Sequence, residues 1–248
     1  MLPTNDAKSL ALLYHLNSLT WSGEGTRASE IFPNSSYPDT HSNSLESVPL
    51  ISPTTTISAL LRKRKSTREY SRSLMSKQHL SALVFGAGGL VGFKEYMPGL
   101  LMTSRVAPSA GGLYPILIYA IVERAEGMAD GLYLLDPISE TLELQRRGQH
   151  IESLESLFRD QNCVHNANVV LVLAADFAPT LEKYGSRGYR YILLEAGHAA
   201  QNVCLVAAES GLGSICIGGF DDFELNALLG IDGIERAAVY CIGCGSPR

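Results

Sequence analysis

The run ANVVLVLAAD, residues 167–176, constrains the fold more than any other stretch of the chain. Between Asn168 and Asp176 it is apolar without interruption and half of it is β-branched or leucine, so its side chains do not alternate between core and water. A strand of this kind is buried on both faces, and other layers must cover both sides of the sheet it joins. The runs 116–123, 131–135 and 141–145 are also strand-like, with turns marked by Gly131 and by DPIS. GSICIGG (213–219) and RAAVYCIGC (236–244) read as further buried strands.

Helical patterns alternate with these strands. TTTISALLRKR (54–64) has a threonine cap before its apolar spacing, and SKQHLSALVFGAGGL (76–90) is a capped helix that stops at its glycines. Residues 150–159 form an amphipathic helix, a short helix falls around 178–184, and a long pattern at 188–210 ends at Gly211. A last short helix, DFELNALLG, separates the two final strands. Ahead of all this, residues 6–19 suit a short amphipathic helix. Residues 20–53 are rich in Ser, Pro, Asn and Thr and suit either an extended arm that wraps a neighbouring surface or a disordered stretch. The reading is an N-terminal helix and arm over 1–53 and one domain over 54–248, of α+β or α/β type around a single sheet.

Charge and composition narrow the partners. A net charge of −5 leaves no basic footprint, which argues against nucleic acid and against an anionic membrane surface. The longest apolar segment, 191–208, is broken by Glu195, His198, Gln201 and Asn202, so it suits a helix inside a protein rather than a membrane span. The N-terminus lacks the features of a signal peptide, and a cytoplasmic location is expected. The five cysteines, at 163, 204, 216, 241 and 244, read as reduced core thiols. Cys241 and Cys244 have CxxC spacing, but no second pair or histidine lies near them in sequence.

Three segments carry chemistry. In RKSTR, Arg64, Ser66 and Arg68 occupy alternate positions, so an extended backbone would turn two guanidinium groups and a hydroxyl to one side, as an anion clamp requires. A solvated basic loop fits the pentapeptide equally. Neither a Walker-type loop nor a GxGxxG loop opening a helix is present. In PSAGGLYP (108–115) the glycines permit positive φ and leave backbone open to a ligand, while Ser109 and Tyr114 offer hydrogen bonds; a plain turn before a strand is the alternative. The third segment, KYGSRGYRYILLEAGHAAQN, sets Lys183 beside Tyr184 ahead of a glycine. An ammonium next to a phenol favours the phenolate, which makes the pair a candidate acid/base couple. Further along, Glu195, His198 and Asn202 share a helical face and need partners, either a ligand or one another in a core network.

Taken in order, these segments resemble the FMN-dependent nitroreductase-like superfamily, and within it the azoline-oxidising branch known as SagB-type dehydrogenases. The resemblance runs from about residue 57 to the C-terminus. It implies a nitroreductase-like α+β fold, with a mostly antiparallel central sheet flanked by helices, and a homodimer holding FMN at the subunit interface. RKSTREY matches the superfamily's phosphate motif, so Arg64, Ser66 and Arg68, with Lys65 between them, would hold the FMN phosphate. PSAGGLYP matches the branch's loop, so Pro108, Ser109, Ala110, Gly111 and Gly112 would lie along the flavin. GLGSICIGGF would bring Gly218 and Gly219 beside the ring, and KYGSRGYRY would place Lys183 and Tyr184 as the catalytic pair.

The activity so implied is oxidation of thiazoline or oxazoline rings to azoles in peptide natural-product biosynthesis. The substrate would be peptide- or carrier-borne, with a cyclodehydratase or synthetase as partner. An NAD(P)H-dependent nitro- or quinone reductase is the alternative. Two departures stand out. The basic residues usual near the C-terminus of nitroreductases have no clear match unless Arg248 replaces one. No peptide-recognition domain precedes residue 54, so delivery of the substrate by a partner is expected.

Overall fold

A computed structural model describes residues 14–15, 49–158 and 162–248 of the protein. In chain order its elements are α1 (Thr56–Lys63), α2 (Lys77–Gly88), β1 (Leu90–Met97), β2 (Leu100–Arg105), β3 (Ile116–Val122), β4 (Gly131–Asp136), β5 (Thr141–Arg147), α3 (Ile151–Leu157), β6 (Val169–Asp176), α4 (Ala178–Tyr184), α5 (Arg187–Glu209), β7 (Gly213–Ile217), α6 (Asp222–Leu229) and β8 (Arg236–Gly245). Six strands form one sheet in the order β5-β4-β3-β6-β8-β7, and every neighbouring pair is antiparallel. The central sheet is antiparallel and flanked by helices, as the resemblance implies, and it resolves the choice between α+β and α/β in favour of α+β.

The apolar run behaves as its composition requires. β6 lies between β3 and β8, and each residue from Val169 to Ala175 is completely shielded from solvent. Its side chains alternate between two cores because strand residues point to opposite faces in turn. Val169, Leu171, Leu173 and Ala175 join the core under α2 and α5, whereas Val170, Val172 and Ala174 join the core under α3 and α6. Helix α5 comes close to the sheet because it presents Ala196, Ala199, Ala200 and Ala207 to the core alongside Ile192 and Val203. Cys241 and Cys244 on β8 fall on opposite faces, one in each core, and burial pushes both thiols upward in pKa.

Local signals set the helix starts. The Thr55 and Ser76 side chains accept from the amides of Ser58 and His79, and the Asp221 carboxylate accepts from Phe223 and Glu224. Helix α6 ends at Gly230 in the left-handed region. The expected elements from residue 54 onward agree with these within a few residues. The β1–β2 hairpin is an addition: it pairs only with itself, and its exposed Val91, Phe93, Tyr96 and Leu101 mix with Lys94 and Glu95 without a clean period. The expected helix over 6–19 and arm over 20–53 lie outside the described residues, except for residues 14–15 and 49–53. Tyr14 and His15 are helical, and His15 is buried against Phe177 and Tyr189. Its ring nitrogens lie 3.1 Å from the Tyr189 hydroxyl and 3.3 Å from the Gly233 carbonyl.

Because Leu171 sits at the centre of the sheet with no exposure, Leu171→Ala is expected to lower stability by about 2–5 kcal/mol through lost burial plus a cavity. Denaturant unfolding, followed by circular dichroism, should show a lower midpoint at unchanged slope.

Candidate active site

The loop joining β2 to β3 is short and must turn sharply. Gly111 and Gly112 adopt φ of 65° and 66°, where a side chain is strained, and the Gly112 amide donates to the Ser109 carbonyl at 3.1 Å. Tyr114 also takes positive φ and is held there from three directions. Its amide donates to Ser109 Oγ at 2.9 Å, its Oη accepts from the Arg105 amide at 3.0 Å, and the Arg105 guanidinium stacks on its ring at 5.0 Å.

Gly111 meets the lysine–tyrosine pair. A methyl group built on Gly111 would stand 2.5 Å from Tyr184 Oη and 2.6 Å from Lys183 Nζ, so only glycine leaves both polar ends where they are. Helix α4 stops at Gly185 with φ of 58°, and this places the pair at the helix end beside the loop. Lys183 is exposed and its Nζ lies 5.5 Å from the Tyr184 ring centre. Tyr184 is half-buried, edge-on to Tyr191.

Beneath the loop lies Glu195 of α5, 5% exposed. Burial pushes its carboxyl up to about 7, against the opposing influence of the neighbouring Ser109 hydroxyl, Arg105 charge and Ile116 amide. The shared face expected for Glu195, His198 and Asn202 does not close into one network. His198, about 60° around the helix from Glu195, lies in solvent, and Asn202 is half-buried.

The RKSTR segment is extended, as its spacing suggests. Ser66 bridges Ser214 of β7 in parallel, the Thr67 amide donates to the Ser214 carbonyl at 2.9 Å, and the Thr67 side chain packs on Gly213. Alternation therefore sends Ser66 and Arg68 away from that contact, and both are exposed, as is Lys65. Arg64 is half-buried, has no carboxylate partner among the described residues, and its charge reaches Cys204. Arg68 lines a cavity of about 280 Å³ with Tyr70, His165 and Arg248. Gly218 and Gly219, just past β7, line another of about 420 Å³ with Tyr14, His15, Tyr189 and Phe220.

The structure thus brings Gly111 to Lys183 and Tyr184, and sets the buried Glu195 beneath the loop that carries Ser109. The clamp is tied to β7 and to Cys204, nine residues and about 13 Å further along α5 than Glu195. Ala110 and Pro108 belong to the same loop, Pro108 on its exposed side. Spacing alone did not reveal Arg105, whose Nε is buried with no partner among the described residues, or the thiol pair Cys204 and Cys216 with sulfurs 3.5 Å apart. The Cys216 bond, Ser214 and Arg64 draw the Cys204 thiol below its ordinary range. Among the described residues no group of three or more His, Cys, Asp or Glu could hold a metal ion, and no helix is long and apolar enough to cross a membrane.

An α+β fold with an antiparallel sheet covered on both faces and a backbone-open glycine loop defines the class; comparison with known proteins supplies the family. The nitroreductase family model matches residues 61–246, and the chain belongs to that family. MJ1384, a nitroreductase-family protein of Methanocaldococcus jannaschii, is 35% identical over 174 residues, covering 69% of this chain and 83% of the relative. McbC, the microcin B17-processing protein of Escherichia coli, is 31% identical over 137 residues, 52% of this chain and 49% of McbC. Among solved structures, a chain of the E. coli microcin synthetase McbBCD complex, with truncated pro-MccB17 bound, superposes at a TM-score of 0.71. The match covers 98% of this chain and 93% of that one at 23% identity, and it shows the fold. A nitroreductase structure from Anabaena variabilis matches at TM-score 0.65 and 29% identity over 77% of this chain, which spans only 38% of that longer chain.

Two outcomes follow. Gly111→Ala is expected to fold but to lose about 1–2 kcal/mol from the positive φ, with the Lys183 and Tyr184 side-chain ends displaced, as a lower denaturant midpoint and a crystal structure would show. Glu195 has a folded pKa raised above its ordinary 4.5, so the folded state binds the extra proton. Its stabilising contribution is full below about pH 4.5 and is lost as pH rises through about 7. The stability of the wild type relative to Glu195→Gln should therefore fall across that window, by up to about 3 kcal/mol, in denaturant melts at stepped pH.

Proposed function

We propose that this protein is an FMN-dependent azoline oxidase that converts thiazoline or oxazoline rings of a peptide to azoles. The observation that carries the reading is the contact of Gly111 with Lys183 and Tyr184, which sets an acid/base pair against a loop that backbone-binding ligands can approach. Similarity to McbC, which processes microcin B17, and to a chain of the McbBCD synthetase supports a peptide substrate and a synthetase or cyclodehydratase partner.

The residues fit FMN. Arg64, Ser66 and Arg68, with Lys65, would hold its phosphate; the half-buried Arg64 guanidinium has no carboxylate partner among the described residues and so is available to an anion. Pro108, Ser109, Ala110, Gly111, Gly112, Gly218 and Gly219 would border the ring, and residues 54–248 would constitute the FMN-binding domain of a homodimer. When bound, FMN supplies a two-electron acceptor. Tyr184 takes the proton from the ring carbon that is being desaturated, assisted by Lys183, whose Nζ lies 5.5 Å from the Tyr184 ring centre. Loss of one proton and one hydride from the azoline balances the oxidation, and aromaticity of the azole favours it.

A second reading, an NAD(P)H-dependent nitro- or quinone reductase, is favoured by the similarity to MJ1384. The two separate in one experiment on FMN-loaded protein. In the azoline oxidase, Lys183→Ala and Tyr184→Phe retain FMN but lose about 10²-fold or more of the two-hydrogen mass loss from a thiazoline-bearing peptide. NADH or NADPH should bleach the flavin little. Full azole formation by both variants, or rapid bleaching by a nicotinamide with no azole formed, overturns the assignment.

A further inference from the structure

Two thiols of the chain meet across different elements. Cys204 lies on the buried face of α5, Cys216 lies on β7, and their sulfurs are 3.5 Å apart. We propose that Cys204 and Cys216 are a modification site that peroxide closes to a reversible disulfide, pinning the edge strand β7 and the RKSTR segment it carries to α5. The value of that segment as a phosphate clamp rests on the FMN-dependent reading; the bond between the sulfurs does not.

The geometry selects this pair. A disulfide needs its sulfurs about 2 Å apart, so these two have only about 1.5 Å to close, which side-chain rotation can supply. The approach is built into the fold: α5 ends at Glu209, the chain turns at Gly211 with φ of 73°, and β7 begins at Gly213. Cys204 is buried and Cys216 only half-buried, so a small oxidant reaches the pair from the Cys216 side. The adjoining Cys216 thiol, Ser214 and the Arg64 charge favour the thiolate of Cys204, and thiolate is the reactive form. The remaining thiols are placed otherwise. Cys241 and Cys244 point into opposite cores with no exposure, and Cys163 lies in the core under α3 and α6.

β7 ends the sheet, with β8 as its one neighbour there. It carries the RKSTR segment through the bridge of Ser66 to Ser214 and through the Thr67 amide, which donates to the Ser214 carbonyl at 2.9 Å. Cys216 follows Ser214 by two residues and precedes Gly218 by two. A covalent tie at Cys216 therefore restrains the strand between the segment that would grip a phosphate and the glycines that would border a ring. The chemistry balances. One sulfur, as thiolate, attacks a peroxide oxygen; the O–O bond breaks, a proton is taken up, water leaves and a sulfenic acid remains. The other thiol attacks that sulfur, the S–O bond breaks and a second water leaves. Two electrons and two hydrogens pass from the thiols to the peroxide, and a dithiol reductant reopens the bond by exchange.

Thiol mapping on the folded full chain tests this. The wild type is treated with hydrogen peroxide, unfolded in the presence of an alkylating agent, digested without reductant and analysed by mass spectrometry. A peptide pair joined through Cys204 and Cys216 is expected, about 2 Da lighter than its free parts, with Cys163, Cys241 and Cys244 recovered alkylated. Dithiothreitol should restore both thiols. Amide exchange at Thr67 should be slower in the bridged chain by about threefold or more, and Cys216→Ser should show neither the bridge nor the slowing. Recovery of Cys204 and Cys216 as alkylated thiols or as sulfinic acids overturns the proposal, as does a bridge from either to another cysteine. Unchanged Thr67 exchange in the bridged chain overturns it too. Should Cys216→Ser fail to fold by circular dichroism, the wild-type map and exchange rates decide. None of these readouts involves flavin or azoline, so failure of the proposed activity and failure of this pair are told apart.

Discussion

Everything in this molecule depends on a strand that has no wet side. β6 offers seven consecutive apolar residues with no exposure, and a sheet built around it needs a hydrophobic layer above and another below. α2 and α5 supply one, α3 and α6 the other. α5 can lie close to the sheet only because its inner face is mostly alanine, and that close approach holds the buried Glu195 beneath the β2–β3 loop. The site is thus a by-product of covering the sheet.

The same helix links the two chemical features that the sequence separates most. Glu195 in its first half lies beneath the loop, while Cys204 further along feels Arg64 of the clamp. A rigid helix about 13 Å long between these points sets their separation without direct contact between them. The lysine–tyrosine pair reaches the site from a third direction, at the end of α4, where Gly185 stops the helix. Polar groups are concentrated at this junction, and burial there raises the Glu195 carboxyl instead of leaving it an ordinary surface acid.

Much of the fold was legible in periodicity. The strand runs and the capped helices from residue 54 onward are found within a few residues of where spacing puts them, since caps, glycine stops and apolar periods are local properties. The β1–β2 hairpin was not legible: Gly92, Lys94 and Glu95 interrupt any alternation, and its apolar side chains lie largely exposed rather than in a core. The stripe Glu195–His198–Asn202 was only half right, because helical spacing defines a face but not which edge of it the neighbouring layer covers. The extended RKSTR segment was legible as a spacing of two. That its alternate side chains avoid Gly213 follows only from the bridge to β7.

By itself the amino-acid sequence determined the element types, the double burial of β6 and the residue kinds with chemistry to offer, because these follow from composition and from periods of two and 3.6 along a short stretch. Tertiary structure alone decided that Gly111 faces Lys183 and Tyr184, that Glu195 is buried while His198 meets water, and that Arg105 stacks on Tyr114. Those contacts join segments distant in sequence, and their geometry is fixed by how layers pack rather than by any local pattern.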